Sequence, residues 1–278
     1  MTQHTRPVFI LGTGRSGTRS LFRMLSGAPG IEIHHEYAVL ETQKLASLYF
    51  MGRINADEVK LRIARMHGAA VYYSRADTWI DSSNKLSWII DPLAEQFPDS
   101  RFLAIVRDGR KVVSSFYYKL REEMYDDEST ACLSQWLADP QSGPCPPPEK
   151  RIWWNIPQGG QPWHEAFPTF DRLQRVAYHW AECNRLIIES FSRLAATRVK
   201  VVKLEELRRE PTLLEETLEF LGVPMDETFM PYLQTPRNVF LPLDFHLTHR
   251  QLVAFQAICG PMMGTLGYDQ QDAYCVEY

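Results

Sequence analysis

Cysteine is scarce and scattered in this 278-residue chain: Cys132, Cys145, Cys183, Cys259 and Cys275 are the five, an odd number with no C-x-x-C pair. That pattern argues against a disulfide framework and against a thiolate zinc site, and predicts a reducing, cytoplasmic compartment. Long apolar runs are missing as well. The longest near the amino terminus is Val8 to Leu11, far short of a signal core or of the roughly 18 residues a membrane helix needs. An excess of positive charge is also lacking, since 30 Lys and Arg stand against 34 Asp and Glu for a net charge of −4. A broad basic surface for nucleic acid is therefore not expected, although a local cationic pocket is compatible with the balance. With 45% hydrophobic and 23% charged residues, the chain has enough apolar material for a large core and is not a disordered segment.

What is present alternates between two patterns. Val8 to Leu11, Phe102 to Val106 and Val199 to Leu204 are continuous β-rich apolar runs, as expected of strands covered on both faces. Helical periodicity follows the first two, around Leu21 to Leu25 and Val112 to Leu120, and precedes the third, around Val176 to Leu194. Gly27 and Pro29 punctuate the end of the first helix. This order predicts an α/β fold, a parallel sheet flanked by helices, organised as a single domain over residues 1–278. Residues 122–168 depart from it: five acidic residues open the segment, eight prolines follow, and Trp136, Trp153, Trp154 and Trp163 are interspersed. Such a stretch reads as an insertion, either a surface feature pinned by its tryptophans or a lid or acceptor-binding wall.

The first strand breaks at Gly12, and Gly12 to Gly17 has P-loop glycine spacing between a strand and a helix. Backbone N–H groups in such a turn converge on an anion, and the helix dipole adds to the attraction. The nucleotide-kinase form of the loop continues with Lys and a Mg²⁺-holding hydroxyl, whereas here Gly17 is followed by Thr18 and Arg19, and a cation, Arg15, lies inside the loop. Val106 is followed by Arg107 rather than by a magnesium-holding Asp. The loop suits one phosphate carrying a leaving group better than a metal-bound triphosphate.

The run from Gly12 to Leu21 (GTGRSGTRSL) resembles the 5′-phosphosulfate loop of sulfotransferases that use 3′-phosphoadenosine 5′-phosphosulfate (PAPS), and the run from Phe97 to Arg110 (FPDSRFLAIVRDGR), with Ser115 downstream, resembles their 3′-phosphate motif. The pattern is most similar to the tyrosylprotein type, whose loop carries Arg. The resemblance implies PAPS as donor, no metal, Gly14, Arg15, Ser16, Gly17, Thr18 and Arg19 at the 5′-phosphate, and Arg107, Ser115 and Lys119 at the 3′-phosphate. It implies a catalytic glutamate 21 residues beyond the loop arginine, which falls on Glu36, and a catalytic lysine after an asparagine, matched by Asn84 and Lys85. Where the family has a Tyr before a Glu at the adenine, this chain has Leu204 before Glu205. Arg237 and Asn238 are assigned to a late loop closing over the nucleotide.

Chemically, an acceptor hydroxyl or amine must lose a proton as it attacks, so Glu36 is the expected base, with His34 and His35 as competitors nearer their working pKa. Strand alternation from Ile31 would set His34 and Glu36 on one face. Charge builds on the bridging oxygen as the S–O bond lengthens, and Arg15 and Lys85 are the expected donors there. A P-loop kinase or NTPase, and a non-catalytic nucleotide-binding protein using the insertion as a partner surface, are the alternatives. The acceptor stays open between small molecules and peptides, and the oligomeric state is not legible.

Overall fold

The computed structural model describes residues 5–120, 124–235 and 247–269. In chain order the elements are β1 (Arg6–Leu11), α1 (Thr18–Leu25), β2 (Ile31–His35), α2 (Val39–Phe50), α3 (Ala56–Ile63), α4 (Ala69–Tyr73), β3 (Thr78–Ser82), α5 (Ile90–Gln96), β4 (Arg101–Val106), α6 (Gly109–Lys119), α7 (Asp127–Ala138), α8 (Arg172–Arg193), β5 (Val199–Lys203), α9 (Leu204–Leu207), α10 (Pro211–Leu221), α11 (Phe229–Gln234) and α12 (His249–Thr265). A π-helical turn, Ala64–Gly68, joins α3 to α4. The chain divides into two compact units, one of Met1–Ala38, Asn55–Arg107 and Leu186–Val239, the other of Val39–Ile54, Asp108–Arg185 and Phe240–Tyr278.

The first unit holds a five-stranded sheet in the order β2-β3-β1-β4-β5, every neighbouring pair parallel. The continuous apolar runs of β1 and β4 follow from burial on both faces. Val8 and Ile10 join Leu103, Ile105, Leu21, Leu25 and Leu218 in one core, with α1 and α10 contributing. On the opposite face Phe9 packs on Phe102 and Phe97, with ring centroids 5.4 and 5.5 Å apart. β3 carries no such signal. Its sequence TWIDS ends in Asp81 and Ser82, both fully buried, and a buried polar residue is tolerated only with partners. Ser82 Oγ donates to the Thr18 carbonyl at 2.8 Å, and Asp81 pairs with His67.

In the second unit, α7 is capped by Asp126, whose side chain accepts from the Ser129 amide. Irregular chain follows as far as a single 3-10 turn, Phe167–Thr169. Trp153 and Trp154 are buried there. Gln43 and Ser47 of α2 both donate to the Trp153 carbonyl, and Trp154 stacks on Tyr125. A cavity of about 450 Å³ in this unit is lined by residues of α7, the irregular chain and Arg175.

Candidate active site

Parallel strands bring their carboxyl ends to one edge of the sheet, where ligands collect in open α/β folds. The residues following β1, β2, β3 and β4 there are the turn Gly12–Gly17, Glu36, Lys85 and Arg107. The turn is clamped at its start: the Gly12 amide donates to Ser87 Oγ, and the same hydroxyl donates to the Gly12 carbonyl, each at 3.0 Å. Gly14 (φ 79°), Arg15 (φ 57°) and Gly17 (φ 121°) all have positive φ, and backbone turns that include left-handed residues can present successive amides to an anion. A Cβ at Gly12 would strike Ser16 Oγ, and one at Gly17 would lie 2.9 Å from Leu204 Cδ1, so both glycines are steric requirements of the turn.

Ser16 is fully buried and its hydroxyl has no hydrogen-bond partner among the described residues. A buried donor left unpaired costs about 1–3 kcal/mol, a deficit that an anion in the turn would remove. The first turn of α1 contains no acidic residue, so its positive end is uncompensated by side chains. These features fit an anion.

Arg107, half-buried at the end of β4, donates from Nη1 to the Arg15 carbonyl at 3.0 Å. Arg208, just past α9, was not singled out from the sequence. Burial lowers its guanidinium pKa, and the nearby Arg107 charge lowers it further. The Glu205 carboxylate opposes both effects. Arg208 Nε is fixed by the Leu233 carbonyl at 2.7 Å. No local pattern marks it, because its neighbour is 101 residues away in the chain.

Glu36 does not continue β2. The strand ends at His35, and Glu36 takes φ 56°, its amide donating to the Ser82 carbonyl at 3.2 Å. The left-handed turn interrupts the alternation, so the pairing of His34 with Glu36 read from the sequence gives way to other partners. His34 Nε2 bonds Glu32 Oε1 at 3.0 Å, and His35 Nδ1 lies 2.8 Å from the Ser82 carbonyl with its ring stacked on Phe22. Lys85 is 94% buried, three residues past β3. Thr18 is buried at the helix start, while Arg19 is exposed on α1. Ser115 and Lys119 lie one turn apart on α6 in the second unit, Ser115 buried and Lys119 half-buried. Leu204 packs beside Gly17. Arg237 and Asn238 lie outside the described residues.

Among the described residues no group of three or more His, Cys, Asp or Glu side chains is placed to hold a metal, and no helix is long and apolar enough to cross a membrane.

Residues 7–142 match the model of the sulfotransferase family. The fold, a five-stranded parallel sheet flanked by helices, is that of solved sulfotransferases. One is the sulfotransferase domain from the Synechococcus PCC 7002 olefin synthase (17% identity, TM-score 0.51, 97% of each chain covered). Another is a sulfotransferase from Alicyclobacillus acidocaldarius (18% identity, TM-score 0.50, 95% of this chain and 97% of that one). A search of curated protein sequences finds no match. The likeness to these two structures is one of fold.

Proposed function

We propose that this chain transfers the sulfuryl group of PAPS to an acceptor hydroxyl or amine by in-line displacement. The observation that carries the reading is a hydrogen bond: the β4 terminus, through Arg107, is joined to the glycine turn after β1. A donor with phosphate groups at both ends of one ribose needs a pair of cradles, and ATP does not.

The Gly14–Thr18 amides and the Ser16 hydroxyl hold the 5′-phosphate, with Arg19 at its outer side. Arg107 holds the 3′-phosphate, and the motif extends to Ser115 and Lys119. The acceptor oxygen or nitrogen attacks sulfur as the bond between sulfur and the 5′-phosphate oxygen breaks. The acceptor proton passes to the Glu36 carboxylate, and the electron pair leaves with adenosine 3′,5′-bisphosphate. Arg15 and Lys85 stabilise the charge growing on the departing oxygen, more strongly in the transition state than in the bound donor. No metal step is required, since cationic side chains supply the charge neutralisation. The 21-residue interval from Arg15 to Glu36 supports a tyrosylprotein-type placement of the base.

Calorimetry with adenosine 3′,5′-bisphosphate, and separately with ATP and Mg²⁺, tests the reading. Tight binding of the bisphosphate, weakened in Arg107→Ala, is expected. Binding of Mg²⁺–ATP with none of the bisphosphate would overturn it in favour of a P-loop kinase or NTPase.

A further inference from the structure

Next to the turn that carries Glu36 lies a buried, hydrogen-bonded histidine and aspartate that the donor-binding elements do not use. His67 is the one buried residue of the π-helical turn Ala64–Gly68, and π turns recur where a helix is adjusted for function. Its Nε2 lies 3.1 Å from Asp81 Oδ2, with both side chains wholly shielded from solvent. The other Asp81 oxygen accepts the Tyr37 amide at 3.1 Å. The next residue of β3, Ser82, accepts the Glu36 amide through its carbonyl. Consecutive residues of β3 thus hold consecutive amides of the turn that carries Glu36.

That turn needs holding. Glu36 (φ 56°) and Ala38 (φ 48°) flank Tyr37 in left-handed conformations, which non-glycine residues keep only where the surroundings over-determine them. Packing alone does not account for His67. Its Nδ1 is buried without a partner among the described residues, amid the rings of Phe9, Tyr37 and Trp79 at 6.4, 5.3 and 5.8 Å. An apolar side chain would fill the same space without stranding a polar atom. The hydrogen bond to Asp81 is what an apolar residue cannot supply.

We propose that His67 and Asp81 are positioning residues that fix the Glu36 turn, and with it the carboxylate that takes the acceptor proton. The proposal rests on the sulfuryl-transfer reading of the site. Its reach is restricted to the base: the glycine turn and Arg107 are held by other bonds, so donor affinity is untouched when the pair is broken.

The experiment follows transfer from PAPS to water, read as labelled sulfate release, which needs no identified acceptor. His67→Phe is expected to lower kcat by about tenfold or more, the scale of a misplaced reacting group, with KM for PAPS within about twofold. His67→Gln, which retains a donor for Asp81, is expected to recover most of the loss. Hydrogen exchange of the Tyr37 amide is expected to speed up in His67→Phe and in Asp81→Ala, giving a readout independent of turnover. Unchanged kcat and unchanged Tyr37 exchange in His67→Phe would overturn the proposal. So would a KM that rises in step with the loss, or a glutamine variant no better than phenylalanine. If wild-type protein binds no bisphosphate and releases no sulfate, the sulfuryl-transfer reading fails and the proposal built on it goes too. Failure of the positioning pair alone leaves wild-type binding and turnover intact.

Discussion

Arg107 reaches across from the end of β4 to the carbonyl of Arg15, a hydrogen bond of 3.0 Å between residues 92 apart in sequence. The guanidinium is thereby aimed along the glycine turn instead of into solvent, with Arg208 adding a second positive charge beside it. Losing Arg107 removes a charge-assisted contact worth about 1.5–3 kcal/mol. Arg107→Ala is accordingly expected to weaken adenosine 3′,5′-bisphosphate binding by about 10- to 150-fold in calorimetry, and Arg208→Ala to weaken it less. Adenosine 5′-phosphate, which lacks the 3′-group, is expected to bind the variant and the wild type alike.

Gly17 is expected to tolerate no side chain. Its φ of 121° is strained for any L residue, and an added Cβ would meet Leu204. Gly17→Ala is expected to cost about 1–3 kcal/mol of stability and to abolish bisphosphate binding, measured by denaturant unfolding and calorimetry. Trimming the obstruction with Leu204→Ala in the same chain restores part of the stability, while the backbone strain remains.

Glu36 joins a strained backbone to a proposed proton acceptor, so stability and activity should separate there. Glu36→Gly relieves the left-handed conformation and is expected to be about 1 kcal/mol more stable than Glu36→Ala in urea unfolding. Both variants are expected to lose about 10²- to 10⁴-fold in kcat, as removal of a general base does, with bisphosphate affinity preserved.

Glu32 gives the fold an acid-sensitive element. Desolvation pushes its pKa up, but hydrogen bonds from Ser74 and His34, together with the His34 charge, outweigh it and hold the carboxyl below its ordinary 4.5. A depressed folded value means that the stabilisation is fully present above 4.5 and is lost as pH falls through the folded value. Thermal unfolding between pH 3 and 6 is expected to show a shallower acid loss in Glu32→Gln than in wild type. Equal slopes would remove Glu32 from the account.

Bisphosphate binding is expected to raise the melting temperature, because ligand held only by the folded state stabilises by about 2.7 kcal/mol at a hundredfold excess over Kd. Ser16→Ala should shrink that shift and leave the unliganded protein as stable or more so, since it deletes the unpartnered hydroxyl.

Local sequence carried the parts of this protein that a few residues decide by themselves. The glycine spacing of residues 12–17 marks a turn because only glycine readily adopts the angles at positions 14 and 17, and the apolar runs of β1 and β4 mark strands because both their faces are buried. The helix from Pro211 to Leu221 closes on Gly222, whose left-handed conformation glycine adopts at little cost. Tertiary structure decided the rest. β3 is invisible in the polar string TWIDS until His67, Tyr37 and Thr18 supply partners for Asp81 and Ser82. The strand alternation that would pair His34 with Glu36 fails because the chain turns left-handed at residue 36 to meet the Ser82 carbonyl. The meeting of Arg107 with the glycine turn, and of Arg208 with Arg107, depends on parallel register between segments far apart in the chain. Propensity acts over a few neighbouring residues, whereas an anion site is assembled by whichever strand ends the sheet sets side by side.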